Sequence, residues 1–336
     1  MNDILNKLLI LRTSGIGPVK YRSLLEQYGC DENIVAHLNL DDDFIDNVKR
    51  EIEKAFDLGI EYICDTDSRY PNGLLNVKNH PIVITARGNI STLSKKCIGV
   101  VGTRHSTLAG MNFVSDLSEA FANHNFAVVS GMAMGTDTAA HVGALRAKGN
   151  TQTIAVLAGG VDYIWPIENE SLYYEILERG VVISEMPVGM IPNAQNFVQR
   201  NRWVAALSDS LIIGEADAKS GSMTTVRFAI DYKKHVFAVP GHPSDARSMG
   251  PNSLIKNGDA TMCTSVKDFF DDKKEIKNEK NIHPENEILD KLGMIPVSES
   301  VLANLVKKSV SEIKSDLVVL ELQGLIRKQD GGYVLI

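Results

Sequence analysis

The chain has 336 residues, 44% of them hydrophobic, and 42 Asp and Glu against 35 Lys and Arg give a net charge of −7. That length predicts two or three domains, and that apolar content excludes disorder as the default. The acidic balance does not favour a nucleic-acid partner, although the field that matters is the one over the site.

No apolar run approaches the roughly 20 residues a spanning helix needs. The opening Met1-Asn2-Asp3-Ile4 lacks the basic and then apolar pattern of a signal peptide. Cys30, Cys64, Cys97 and Cys263 are scattered, with no C-x-x-C pair and no His at ligand spacing. The expectation is a cytoplasmic protein with reduced thiols, no membrane span, no zinc site and no disulfide framework.

Residues 1–89 form the first block. Apolar residues on either side of Gly15-Ile16-Gly17-Pro18 predict two short helices joined by a glycine-rich turn. Such a turn is either a helix-hairpin-helix element, whose amides face a phosphate, or a plain helix pair in a small bundle. The residues leave both open.

Residues 90–272 form the second block. Apolar, β-rich runs recur at 97–101, 127–129, 153–157, 181–183, 211–213 and 236–239, each followed at once by a glycine or polar turn. Helical patterns lie between most of them; Ser106 is predicted to cap a helix whose inner face carries Leu108, Val114, Leu117 and Phe121. Near-continuous apolar strands alternating with helices predict an α/β, Rossmann-like parallel sheet covered on both faces. Its ligand crevice lies beyond the C-terminal ends of the strands.

Three loops at that edge carry the candidate chemistry. Gly102-Thr103-Arg104-His105-Ser106 offers backbone amides, a helix N-terminus and the forked Arg104 donor to an anion. In Ser130-Gly131-Met132-Ala133-Met134-Gly135-Thr136-Asp137, Gly131 and Gly135 allow close backbone approach, and Asp137 caps a helix expected from Thr138. Ser220-Gly221-Ser222-Met223-Thr224-Thr225 repeats the device. Each alone is a common helix-start loop; three on one edge point to phosphate. Arg200-Asn201-Arg202, beside Phe197 and Trp203, reads in two ways. It supplies phosphate donors next to stacking surface, or it is a salt-bridged turn over a core Trp203, with Glu185 or Glu215 as acidic partner.

No catalytic set emerges. There is no Walker A loop, no three-glycine dinucleotide fingerprint and no G-x-S-x-G elbow. His141 reads as a packed residue, and nothing sets a reacting group between Asp162 and Glu168. Asp162 and Asn169 read as shaping the loop around Trp165-Pro166. No catalytic residue, metal or cofactor is therefore expected.

The charged stretch from Asp271 to Lys280 predicts a linker, taken as 273–284. In 285–336, helices are expected around Ile288-Leu289-Leu292, around Val301-Leu302-Leu305-Val306 and over 311–322. A hairpin follows at Gly324-Leu325-Ile326-Arg327-Lys328 and Gly331-Gly332-Tyr333-Val334-Leu335. That is the outline of a winged helix, in which Lys307, Lys308 and Lys314 give modest charge for duplex DNA; contact with protein is the other reading.

Val101-Gly102-Thr103-Arg104, the run from Ser130 to His141, Thr153-Ile154-Ala155-Val156-Leu157 and Ser184-Glu185-Met186-Pro187 occur in order. Phe197 to Arg202, Ser220 to Thr225 and Val239-Pro240-Gly241 follow. Together they resemble the DprA/Smf family of DNA-processing proteins from about Ile90 to Phe270, and the flanking blocks extend the likeness to nearly the whole chain. The resemblance implies single-stranded-DNA binding at the sheet edge, a homodimer through the Rossmann-like domain, and delivery of strands to the RecA recombinase in transformation or recombination. It implies that Arg104, Arg200 and Arg202 line one groove with the loops 130–137 and 220–224, and that Lys256 sits near the pocket or the dimer contact. The chain departs from the family pattern at Thr136, Val198, Trp203 and Ile167, the last where some relatives carry a lysine.

Two rivals stand beside this reading. A nucleotide phosphoribohydrolase shares the loop architecture but needs a glutamate just after the Gly-Thr helix start, where this chain has Val226 and Arg227. A scaffold acting through its two ends would leave the central domain without DNA affinity.

Overall fold

The computed structural model describes residues 2–149, 153–275, 287–292, 296–322, 325–329 and 331–335. The chain divides into two units, one through Asp271 and one from Asp272 on. Four helices open the first unit: α1 (Asn2–Arg12), α2 (Pro18–Tyr28), α3 (Asp31–Leu38) and α4 (Asp42–Asp57). Pro18 begins α2, where its missing N–H breaks no helical bond. Leu8, Ile10, Leu24, Ile34 and Val48 close a common core.

Next come β1 (Glu61–Cys64), the short α5 (Asn72–Leu75) and β2 (Val83–Gly88). Strands and helices then alternate: β3 (Cys97–Val101), α6 (Leu108–Asn123), β4 (Ala127–Ser130), α7 (Thr136–Arg146) and β5 (Thr153–Val156). They continue as α8 (Glu170–Arg179), β6 (Val181–Ser184), α9 (Ala194–Leu207), β7 (Ser210–Ile213) and α10 (Ser222–Asp231). The unit closes with β8 (His235–Ala238), α11 (Met249–Asn257), β9 (Thr261–Met262) and α12 (Val266–Glu275).

The strand order is β1-β2-β6-β5-β4-β3-β7-β8-β9. From β6 across to β9 every pairing is parallel, as in Val129 opposite Ile154 and Gly99 opposite Leu211. β1 with β2, and β2 with β6, pair antiparallel, so the sheet draws on residues before 90. All six predicted runs are strands, each within one residue of its expected ends; β1, β2 and β9 are additions. Ile98, Val100, Val128 and Ile212 pack with Phe121, Ala140 and Phe269 on one face. Val101, Val129, Ile154 and Ile213 pack with Trp203, Val204 and Val226 on the other. Two covered faces explain why these strands are apolar throughout.

The chain leaves β3 for β4 on one side and later returns to lay β7 on β3's other side. That reversal opens a crevice at the C-terminal ends of β3, β4 and β7.

The second unit holds α13 (Glu299–Val306), α14 (Val310–Leu322) and a hairpin of β10 (Ile326–Gln329) and β11 (Gly332–Leu335). Leu302, Ile313, Leu317, Ile326 and Tyr333 form its core. Where a first helix is predicted, the described residues make one 3-10 turn, Leu289–Lys291. The charged stretch predicted as linker begins inside α12, which runs to Glu275; the rest of it, 276–284, lies outside the described residues, as does Gly324. Among the described residues no helix is long and apolar enough to cross a membrane.

Candidate functional site

A cavity of about 320 Å³ opens at the switch point, walled by the loops that follow β3 and β4, by the start of α10 and by α9. Hydrogen bonds between loops hold this wall together. Thr103 N–H donates to Glu215 O (2.6 Å), Thr136 N–H donates to Thr103 O (3.2 Å), and Ser106 Oγ lies 2.7 Å from Thr136 Oγ1. Gly135 sits at φ +76°, and a Cβ there would run into the backbone of Thr103 and Arg104. Only glycine adopts that conformation freely, so the residue is set by the packing of two loops.

Of the expected site residues, Gly102, Arg104, Asp137, Arg200, Asn201, Ser220, Gly221, Ser222 and Thr224 line this cavity. Arg104 is exposed at its mouth, its guanidinium 4.9 Å from the Trp165 ring centre and 5.7 Å from that of Phe197. The two rings meet edge to face at 4.5 Å. Among the described residues Arg104 has no carboxylate partner, so its charge is stacked on aromatic surface and its donors stay uncommitted. Opposite, α10 starts at Gly221 with no side-chain cap. Its first amides close the turn, Ser222 N–H donating to Ser220 Oγ (3.4 Å), Met223 N–H to Ser220 O (3.0 Å) and Thr224 N–H to Gly221 O (3.1 Å), so what reaches the cavity is the hydroxyls of Ser220, Ser222 and Thr224 and the positive end of the helix dipole. An anion is the ligand such a lining holds.

The N-terminus of α6, expected to receive the anion as well, is already taken. Glu215 accepts from Thr107 N–H and Thr107 Oγ1, both at 2.6 Å. The cap is Thr107, whose Oγ1 accepts from Gly110 N–H, and not Ser106, which turns back to Thr103 O. Leu108, expected on the inner face of that helix, is 76% exposed.

Asp137 is likewise no cap: α7 begins one residue earlier, and the carboxylate accepts from Ala133 N–H (3.3 Å) within the loop before it. Burial pushes Asp137 up, opposed by the neighbouring Arg200 charge and by that N–H. Arg200 is itself buried, donating to Gly131 O and to Val156 O (2.9 Å), with Nε to Asn201 Oδ1 (3.2 Å). It ties the loop after β4 to the sheet. At Gly131 a Cβ would collide with that guanidinium, so glycine is what admits the arginine.

The other expected residues lie elsewhere. Ser130 is buried and donates to Val100 O (2.7 Å). Asn169 is buried behind the loop, donating to Met132 O (2.8 Å) and bonded to Thr138. Asp162 accepts from Gly189 N–H and Lys54, which fixes the loop before Trp165. Arg202 leaves on the other flank of α9, donating to Tyr232 OH (2.7 Å) and to Lys78 O. It does not line the groove with Arg104. Trp203 is core, 3% exposed, and not a stacking surface. Lys256 is exposed on α11, away from the cavity lining.

His141 is fully buried, its Nδ1 2.6 Å from Thr153 Oγ1, and burial pushes it down to about 3, so it is a neutral packed residue. Thr103, His105 and Ala133, named in the sequence only as members of the candidate loops, also line the cavity; what sequence reasoning missed is Trp165 as the ring beneath Arg104. Trp165 lies 61 residues along the chain from Arg104, so no local pattern joins the two. Among the described residues no group of three His, Cys, Asp or Glu is placed to hold a metal ion.

Comparison with known proteins supplies the context for this geometry. The family model of DNA recombination-mediator protein A matches residues 61–274, and that of the DprA winged helix domain matches 282–332. DNA processing protein DprA of Bacillus subtilis is 34% identical over 230 residues, 68% of this chain and 76% of that protein. Protein Smf of Escherichia coli is 32% identical over 290 residues, 81% of this chain and 77% of that one. Among solved structures, DprA of Streptococcus pneumoniae matches with a TM-score of 0.69 at 29% identity, covering 80% of this chain and 97% of that one. A structure describing the single-stranded-DNA binding mode of the Helicobacter pylori protein matches with a TM-score of 0.58 at 29% identity, over 65% of this chain and 96% of that one. With a mostly parallel α/β sheet, a switch-point cavity, a C-terminal winged helix domain and these matches, the chain belongs to the DprA/Smf family of DNA-processing proteins.

Proposed function

We infer that the cavity is the phosphate-holding part of a single-stranded-DNA interface, and that the protein acts as a non-enzymatic loader. One observation carries the reading: the uncommitted Arg104 guanidinium, stacked on Trp165 and Phe197, shares one cavity with the hydroxyl-lined start of α10. Charge for a phosphate beside rings for a base is the combination that sequence-tolerant strand binding uses. The Helicobacter pylori relative, whose structure is described by its single-stranded-DNA binding mode, supports it.

Strand delivery to the RecA recombinase, a cytoplasmic setting and a homodimer complete the proposal by family likeness. Met249, Ile230 and Met262, 41–53% exposed on α11, α10 and the outer strand β9, are apolar surface available to a self-contact, and Lys256 lies on α11 with Met249. The hydrolase reading is disfavoured by the lining: after Thr224-Thr225 come buried Val226 and exposed Arg227, and Asp137 is committed to Ala133 N–H beside the Arg200 charge. Two assays on the intact protein test the proposal. Labelled oligo(dT) should raise fluorescence anisotropy with micromolar or tighter affinity, and saturating nucleoside monophosphate should release no ribose phosphate. Release of ribose phosphate, or no strand binding, contradicts it.

A further inference from the structure

A second cavity, of about 700 Å³, lies on the other flank of α9. Lys78, Asn79, Gln195, Gln199 and Arg202 supply its polar wall, and Phe228 and Tyr232 its aromatic one. Val198, 51% exposed on the crest of α9, belongs to the lining of both cavities. Helix geometry accounts for this. On α9, Phe197 and Asn201 fall to one side of Val198 and Gln199 and Arg202 to the other. On α10, Thr224, Phe228 and Asp231 follow one another down a single face, from the first cavity to the second.

The second cavity has unspent donors. Arg202 gives one N–H to Tyr232 OH and one to Lys78 O, which leaves three of the five guanidinium N–H groups uncommitted among the described residues. Lys78 is exposed and has no acidic partner among the described residues. The rings of Phe228 and Tyr232 lie nearly parallel, 17° apart, with centres 6.3 Å apart. Asp231 is the one carboxylate of the lining.

We propose that a strand held by phosphate in the first cavity crosses Val198 and places its next nucleotides in this second cavity. There Lys78 and Arg202 receive phosphate, and Phe228 and Tyr232 offer apolar surface to a base. The proposal rests on the single-stranded-DNA reading of the first cavity, and the test separates the two. Bases stack on aromatic surface without regard to sequence, so this subsite lengthens the footprint and does not select a sequence.

The experiment measures binding of labelled oligo(dT), roughly 4 to 16 nucleotides long, to the full chain and to three variants over a salt series. The variants are Lys78→Ala, Asp231→Asn and Arg104→Ala; Lys78 and Asp231 are exposed, and matching melting curves check their fold. Lys78→Ala should weaken the longer strands several-fold, leave the shortest unchanged, and make the salt slope shallower by about 0.7 for the lost phosphate contact. Asp231→Asn should tighten the longer strands. If both match wild type at every length while Arg104→Ala weakens all lengths, the second subsite is wrong and the first stands. If wild type binds no strand in a salt-dependent way, both fall.

Discussion

Arg200 and Arg202 stand two positions apart in one helix, and about 200° separates their side chains. Arg200 points into the protein, where its charge answers Asp137 and its N–H groups hold Gly131 and Val156. Arg202 points to the opposite flank and packs over Trp203 with its guanidinium 4.6 Å from the ring centre. Taken as a turn, Arg-Asn-Arg is a single phosphate clamp; taken as part of α9, it cannot be one. Near Trp203 lies Glu185, whose Oε1 is sealed from solvent and without a hydrogen-bond partner among the described residues. Burial pushes this carboxyl up to about 7, against the pull of Trp203, Arg202 and Gln199. A folded-state value above the unfolded one means that its contribution to stability is full below about pH 4.5 and lost as pH rises through 7. Glu185→Gln should therefore equal wild type at pH 4 and exceed it at pH 8 by on the order of 1–3 kcal/mol in urea unfolding. A gap that does not change with pH contradicts this. Trp165 gives a second readout, since the only other tryptophan, Trp203, is buried. Oligo(dT) should change the tryptophan fluorescence of wild type and leave that of Trp165→Phe unchanged; equal changes in both would remove Trp165 from the interface.

At the level of elements, the three loops that look alike in sequence have separate tasks. The loop after β3 gives Arg104 and surrenders its helix start to Glu215; the loop after β4 is a buried support; the start of α10 alone takes no carboxylate among the described residues. Glu215→Ala should cost about 1–2 kcal/mol of stability, because it strips a charged partner from the α6 start. Urea unfolding measures it, and a change within the error of wild type would contradict the assignment. The six parallel strands were legible because two covered faces make them apolar at every position, as in Ile98 through Val101. β1 and β2 were not: Glu61-Tyr62-Ile63-Cys64 mixes polar and apolar, and it joins the sheet only through β2, which pairs antiparallel with the distant β6, Thr85 opposite Ser184. The loops at the sheet edge were legible as loops from their glycines, and Arg104 as their exposed donor. Which helix start is taken by a carboxylate was not, since Glu215 reaches Thr107 across 108 residues of chain.

For the whole molecule, the net charge of −7 sets a weak background against DNA, so affinity has to come from a few placed donors and fall quickly with salt. The second unit has a core of its own residues, from Ile288 to Tyr333, and the first unit's clusters contain none of them. A chain ended after Glu275 should keep a cooperative melt and its affinity for oligo(dT) within about twofold; loss of either would give the winged helix a part in the interface. The claim on which the rest depends is that Arg104 at the sheet edge holds a phosphate of single-stranded DNA. It is tested most directly by titrating labelled oligo(dT) into wild type and Arg104→Ala over a salt series. The prediction is a steep fall of wild-type affinity with salt, and a weaker variant whose slope is shallower by about 0.7. A wild type that binds without salt dependence, or a variant with the wild-type slope and affinity, would contradict it.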